Sequence, residues 1–155
     1  MPEDREVILV RDVMTREVVT IKPDEPVIEA ARLMKNHDIG SVVVVTERDE
    51  VIGILTEKDL VTRVVAENRD VLRTRVREVM TPNPITVYDD TPLEIAARLM
   101  AEKGIGHLPV VDKAGRLVGI LAKSDIIEFT PELIEILYLK KAEAGGAGEE
   151  EAPTE

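Results

Sequence analysis

The chain has 155 residues, 44% of them apolar, which is enough for one domain-sized core. It contains no cysteine, which excludes disulfides, thiol nucleophiles and thiolate metal sites together. The net charge of −11, with no basic stripe, argues against nucleic acid as a partner, because duplex binding depends on neutralising phosphates.

No apolar run is long enough to span a bilayer and nothing resembles a signal peptide, so a soluble, cytoplasmic protein without a membrane partner is expected. Glutamine is absent and 33% of residues are charged, a profile that leans toward a thermophile.

In chain order, Val18 to Lys22 is a short β-prone run. Asp24 and Pro26 then close a turn and open a helix, with Asp24 a candidate cap. Val27, Ala30, Ala31, Leu33 and Met34 recur at helical spacing, so the methionine is a core residue. Ile39-Gly40 leads into Val42 to Val45, too short and too β-branched for a helix. The charged turn Glu47-Arg48-Asp49-Glu50 makes a hairpin with a strand ending at Leu55, and a second helix is expected over Glu57 to Asn68.

The same grammar then returns. Val13 to Val61 aligns without a gap onto Val79 to Ile127 at an offset of 66, with 19 of 49 paired positions identical. Val-Met-Thr opens both copies, and Gly53-Ile54-Leu55 with Asp59 returns as Gly119-Ile120-Leu121 with Asp125. In the second copy Ile85 to Tyr88 is the first strand, Asp90 the candidate cap, Leu93 to Met100 the helix and Leu108 to Val111 the buried strand. Lys123 to Phe129 is its last helix. One copy of some 60 residues would bury only about 60% of its unfolded surface, so the two are expected to share a core.

The expected organisation is a first repeat at 7–68, a linker at 69–77, a second repeat at 78–129 and a C-terminal helix at 130–141. That helix is opened by Thr130 and Pro131. The segment 142–155 is expected to be a disordered, solubilising tail. Five glutamates and no Lys or Arg fall in 143–155, which leaves −6 for residues 1–142.

The tandem strand, helix, strand, strand, helix unit, with Gly106 to Val111 (Gly-His-Leu-Pro-Val-Val) and Gly53 to Asp59 (Gly-Ile-Leu-Thr-Glu-Lys-Asp), resembles the cystathionine β-synthase (CBS) domain family. The resemblance covers roughly residues 7–130. It implies an α/β fold of two repeats packed as a pseudo-twofold CBS pair, adenosine-containing ligands in clefts between the repeats, and dimerisation.

The chemistry of the Thr56 corner can be read from the residues alone. A strand ending at Leu55 and a helix starting near Thr56 present free N–H groups and the positive end of a helix dipole, which favours an anion. Asp59, one turn in, can accept from both hydroxyls of a ribose. Thr-x-x-acid at a helix start is equally a capping box that needs no ligand. In the second copy Ala122 cannot cap, yet Asp125 persists, which suits ribose binding or a helix-dipole role; Ser124 is a candidate cap for a shifted helix start.

Carried over by the resemblance, one ligand set is Thr56, Lys58 and Asp59 with Thr86, Ile105, Gly106, His107 and Pro109. The other is Ala122, Lys123 and Asp125 with Thr20, Ile39, Gly40 and Ser41. The second set lacks the threonine hydroxyl and has Val43 where Pro109 stands, so unequal sites are expected. Ile105-Gly106 would supply adenine with a β-branched wall and bare backbone, although the glycines suit a tight turn as well. Phosphate would draw on Lys58, Lys123, Arg5 or Arg11.

No catalysis is expected. His37 and His107 are the only histidines, are not at metal-ligand spacing, and have no counterpart in each other's copy, so neither a metal nor a bound cofactor is expected. No nucleophile elbow, Walker A lysine motif or dinucleotide fingerprint occurs. The leading expectation is a regulatory energy-sensing module that binds AMP first, or ADP or ATP, and signals to an unidentified regulated protein. The alternatives are a constitutive interaction and dimerisation module without ligand, or an S-adenosylmethionine sensor. A homodimer is expected because two amphipathic helices per repeat leave apolar faces uncovered.

Overall fold

The computed structural model describes residues 7–138. The expected tail at 142–155 and the end of the expected C-terminal helix, 139–141, lie outside the described residues. The described residues form two compact units: 16–86 with 111–118, here the first unit, and 7–15, 87–110 and 119–138, the second.

In the first unit β1 (Thr20–Ile21), β2 (Ser41–Val45), β3 (Val51–Thr56) and β4 (Thr81–Pro82) form a four-stranded sheet in the order β1-β2-β3-β4. β1 lies parallel to β2, which forms an antiparallel hairpin with β3. β2 is apolar after its first residue and buried along its whole length, as expected of a strand covered on both faces. Val42 and Val44 join a core with Val27, Ala30 and Met34 of α1 (Val27–His37), whose apolar residues recur at the spacing of one helical face.

Asp24 is not the cap of α1. Pro26 holds that position without a side-chain bond, and Asp24 Oδ1 instead accepts from the Arg77 guanidinium, from Nε at 2.8 Å and also from Nη2. A partner 53 residues away outcompetes the local amides, because the pair is charge-assisted and bidentate in its donors. Pro92 holds the same position in the second repeat, so Asp90 is not a cap either.

The helix expected over Glu57 to Asn68 is shorter and wider. α2 (Glu57–Asp59) passes directly into a π-helical stretch, Leu60–Val65, whose wide turn is closed by the Ala66 amide on the Val61 carbonyl at 2.9 Å. α3 (Val76–Val79) begins in the last two residues of the expected linker and runs into the expected second repeat; it packs Val76 and Val79 into the core and continues into β4 (Thr81–Pro82) on the edge of β3.

A three-stranded sheet has the order β5-β6-β7, from β5 (Val87–Tyr88), β6 (His107–Val111) and β7 (Leu117–Ala122), and all of it except Val111, Leu117 and Val118 falls in the second unit. α4 (Leu93–Lys103) buries Leu93, Ala96, Ala97 and Met100, and α5 (Lys123–Phe129) follows β7 as expected. A 3-10 turn, Pro131–Leu133, runs into helical residues 134–138. Thr130 stands at its N-cap, but its hydroxyl donates to Glu132 at 2.8 Å instead of capping.

The units do not coincide with the sequence repeats, because the opening of each copy sits in the other copy's unit. In the first unit β4, from the second copy, pairs with β3, and a Cβ on Gly53 would run into the Met80 sulfur. In the second unit Thr15 and Ile120 exchange two backbone hydrogen bonds of 2.9 Å, and a Cβ on Gly119 would run into the Met14 sulfur. Each Gly-Ile-Leu strand therefore needs its glycine as a slot for a methionine from the opposite end of the duplication.

Candidate functional site

The corner between β3 and α2 is a closed capping box. The Thr56 hydroxyl accepts from the Asp59 amide at 3.1 Å, and Asp59 Oδ2 accepts from the Thr56 amide at 3.0 Å. Asp59 is only 8% exposed, and its other oxygen, Oδ1, faces Arg63 Nε at 3.7 Å. One carboxylate oxygen thus holds the helix start while the second faces a half-exposed cation.

The corner between β7 and α5 has half of that box. Asp125 Oδ2 accepts from the Ala122 amide at 3.1 Å, while Ala122, at the N-cap, offers nothing in return. Ser124 does not cap, since the helix start has not shifted. Persistence of the acid without its threonine has a local cause, because the carboxylate still satisfies the N-cap amide.

The loops before β2 and β6 meet these corners within their own units. The Gly40 carbonyl accepts from the Glu57 amide at 3.0 Å, and the Gly106 carbonyl from the Lys123 amide at 2.8 Å. Ser41, 8% exposed, is the register partner of Thr56. Ile39 and Gly40 line an open depression of about 580 Å³ together with Lys35, Asp38, Glu57 and Leu60. Gly106 does not have a positive φ, and a Cβ there would meet only Lys123 Cβ at 4.0 Å. Backbone geometry does not require glycine at that position.

The remaining residues are spread over both units. Thr20 is exposed on β1, opposite Val43, and Thr86 is exposed just before β5. His107 opens β6 half-buried, Ile105 ties its amide to the Met100 carbonyl at 3.1 Å, and Pro109 is buried. Lys58 is exposed; the Lys123 ammonium lies 4.9 Å from the centre of the Tyr138 ring, a cation–π contact. Arg5 lies outside the described residues.

Arg63 escaped the sequence reading. Its signal was a basic residue four positions after Asp59, a spacing that brings the two side chains together on a helix. Among the described residues no group of three or more His, Asp or Glu could hold a metal ion, and no helix is long and apolar enough to cross a membrane.

With two matched corners, two glycine loops and the exchanged openings, the architecture is that of a paired repeat, and the chain belongs to the CBS domain family, which matches residues 10–66 and 76–132. It is a tandem CBS pair. An uncharacterised protein of Methanopyrus kandleri is 42% identical over 127 residues, spanning 82% of this chain and 65% of that one. The CBS domain pair of protein MJ0100, solved in complex with 5'-methylthioadenosine and S-adenosyl-L-methionine, is 30% identical with a TM-score of 0.73, covering 82% of this chain and 98% of that one. A hexameric CBS-CP12 protein from bloom-forming cyanobacteria is 34% identical with a TM-score of 0.75, covering 84% and 72% respectively.

Proposed function

We propose that this CBS pair is a non-catalytic regulatory module that binds an adenosine-containing ligand, AMP first and ADP or ATP after it, using the Asp59 corner as its ribose acceptor. The depression beside that corner carries the reading: Ile39, Gly40, Glu57 and Leu60 line about 580 Å³ within the first unit, and the Gly40 carbonyl holds the helix start through the Glu57 amide. The acceptor capacity of Asp59 Oδ1 supports it, since hydroxyl donors can add to a carboxylate oxygen that no backbone amide engages. The module works as a cytoplasmic homodimer and signals to an unidentified protein, and its effect is bounded by the ligand's differential affinity for two conformations. Exposed Val61 and Val65 on the π-helical stretch, with Leu72, support self-association. Sedimentation at micromolar concentration is expected to give a dimer; a monomer would remove that part.

Titration calorimetry of nucleotide-stripped protein with AMP, ADP, ATP and S-adenosylmethionine tests the ligand. Asp59→Asn keeps an acceptor for the Thr56 amide while removing the charge, and should weaken AMP about tenfold or more. Asp125→Asn should leave that binding intact. The two adenosine compounds bound by the MJ0100 pair favour a second reading, a sensor of S-adenosylmethionine, and that ligand outranking AMP would establish it. If nothing binds the folded protein, the module is a constitutive interaction platform.

A further inference from the structure

Arg63 connects the Asp59 corner to the opening segment of the second repeat. Its Nε lies 3.7 Å from Asp59 Oδ1, while Nη1 donates to the carbonyls of Val79 and Met80, each at 3.1 Å. Those carbonyls close α3 and lead into β4, where Thr81 and Pro82 pair with Ile54 and Gly53. The Met80 side chain fills the slot at Gly53, and the Asn83 amide fixes the far end of the segment on the Ile52 carbonyl at 3.1 Å. One planar guanidinium is therefore shared between an acid at a helix corner and the main chain of an edge strand.

We infer that Arg63 is a positioning residue that couples the Asp59 carboxylate to the seating of residues 79–83 on β3, so that a ligand drawing on Asp59 Oδ1 loosens this segment. The inference rests on the adenosine reading for its ligand but not for its coupling. The carboxylate anchors the Nε edge of the fork and so aims Nη1 at the two carbonyls. When hydroxyl donors occupy Oδ1, the anchor weakens and the carbonyl bonds lose their alignment. The device exists in one repeat only: the position 66 residues on is Phe129, 52% exposed, which has no hydrogen-bond donor on its side chain.

Amide hydrogen exchange at Met80 and Asn83, referenced to Val44 in the core, tests the coupling in wild type, Asp59→Asn, Arg63→Gln and the double variant without ligand. Each single change is expected to speed exchange about tenfold, with the double no faster than Arg63→Gln alone. An additive double, or Asp59→Asn without effect, would overturn the coupling, whereas partial restoration by Arg63→Lys would support it. AMP should then speed the Asn83 amide in wild type and leave it unmoved in Arg63→Gln. AMP that binds wild type without moving that amide would overturn the ligand step. AMP that fails to bind removes the adenosine reading, and the four-protein comparison still decides the coupling.

Discussion

The two helix corners are copies of one design at different stages of completion. At Thr56 both halves of the capping box are made, whereas at Ala122 only the acid's half remains, and the helix nevertheless starts at the same position. The aspartate is therefore the indispensable member, since it satisfies the N-cap amide in both copies. An acid that keeps its place in both repeats has thus already earned it structurally, and any ligand uses what the cap leaves over.

The comparison between copies can be strained hardest at the glycine slots. Gly119→Ala should cost about 2 kcal/mol in urea unfolding, because the new methyl meets the Thr15 carbonyl, 3.1 Å away, as well as Met14. Gly53→Ala should cost about half as much, since only the flexible Met80 side chain blocks it. Equal losses would mean that the backbone contact does not matter.

At the corners, Thr56→Ala should destabilise by about 1 kcal/mol, as loss of an N-cap hydroxyl typically does, and Ala122→Thr should gain a similar or smaller amount by completing the box. No gain from Ala122→Thr would show that the second corner differs in backbone geometry and not merely in its missing hydroxyl.

The smallest effect lies in the hairpin turns. The Thr46 hydroxyl accepts from the amides of Arg48 and Glu50, each at 3.1 Å, and in the second copy Asp112 Oδ1 accepts from Ala114 and Arg116, each at 2.9 Å. The Arg116 amide first, then the Arg116 guanidinium, hold the Asp112 carboxyl below the ordinary aspartate range. A depressed acid contributes stability above its unfolded pKa of about 3.9 and loses it as pH falls through the lower folded value. Exchange at Ala114 and Arg116, corrected for intrinsic rate, should therefore rise on acidification while Arg48 and Glu50 stay flat. Parallel behaviour of both turns would contradict the assignment.

Repetition and periodicity made the two-copy fold legible in the sequence. α1 and α4 follow from apolar spacing, β2 from a short β-branched run, and α5 from the return of the first copy's order of elements. α3 and β4 were missed because four and two residues have no period to read, whereas β1 and β5, as short as β4, lie in longer β-prone runs. Asp24 was misassigned because its partner, Arg77, lies far along the chain, and the π-helical turn has no signature in residue type. The capping alternative at Thr56 was visible from four residues. The shared guanidinium of Arg63 was not, since its carbonyl partners lie 16 and 17 positions away.

The exchange of opening segments separates the unit of duplication from the unit of folding. Residues 69–77 are the natural seam of the duplicated sequence, yet a cut there would strip α3 and β4 from the first unit and residues 7–15 from the second. Neither half would keep the methionine that fills its glycine slot. The duplication is in this sense irreversible: once each copy had lent its Val-Met-Thr opening to the other, neither could be inherited alone.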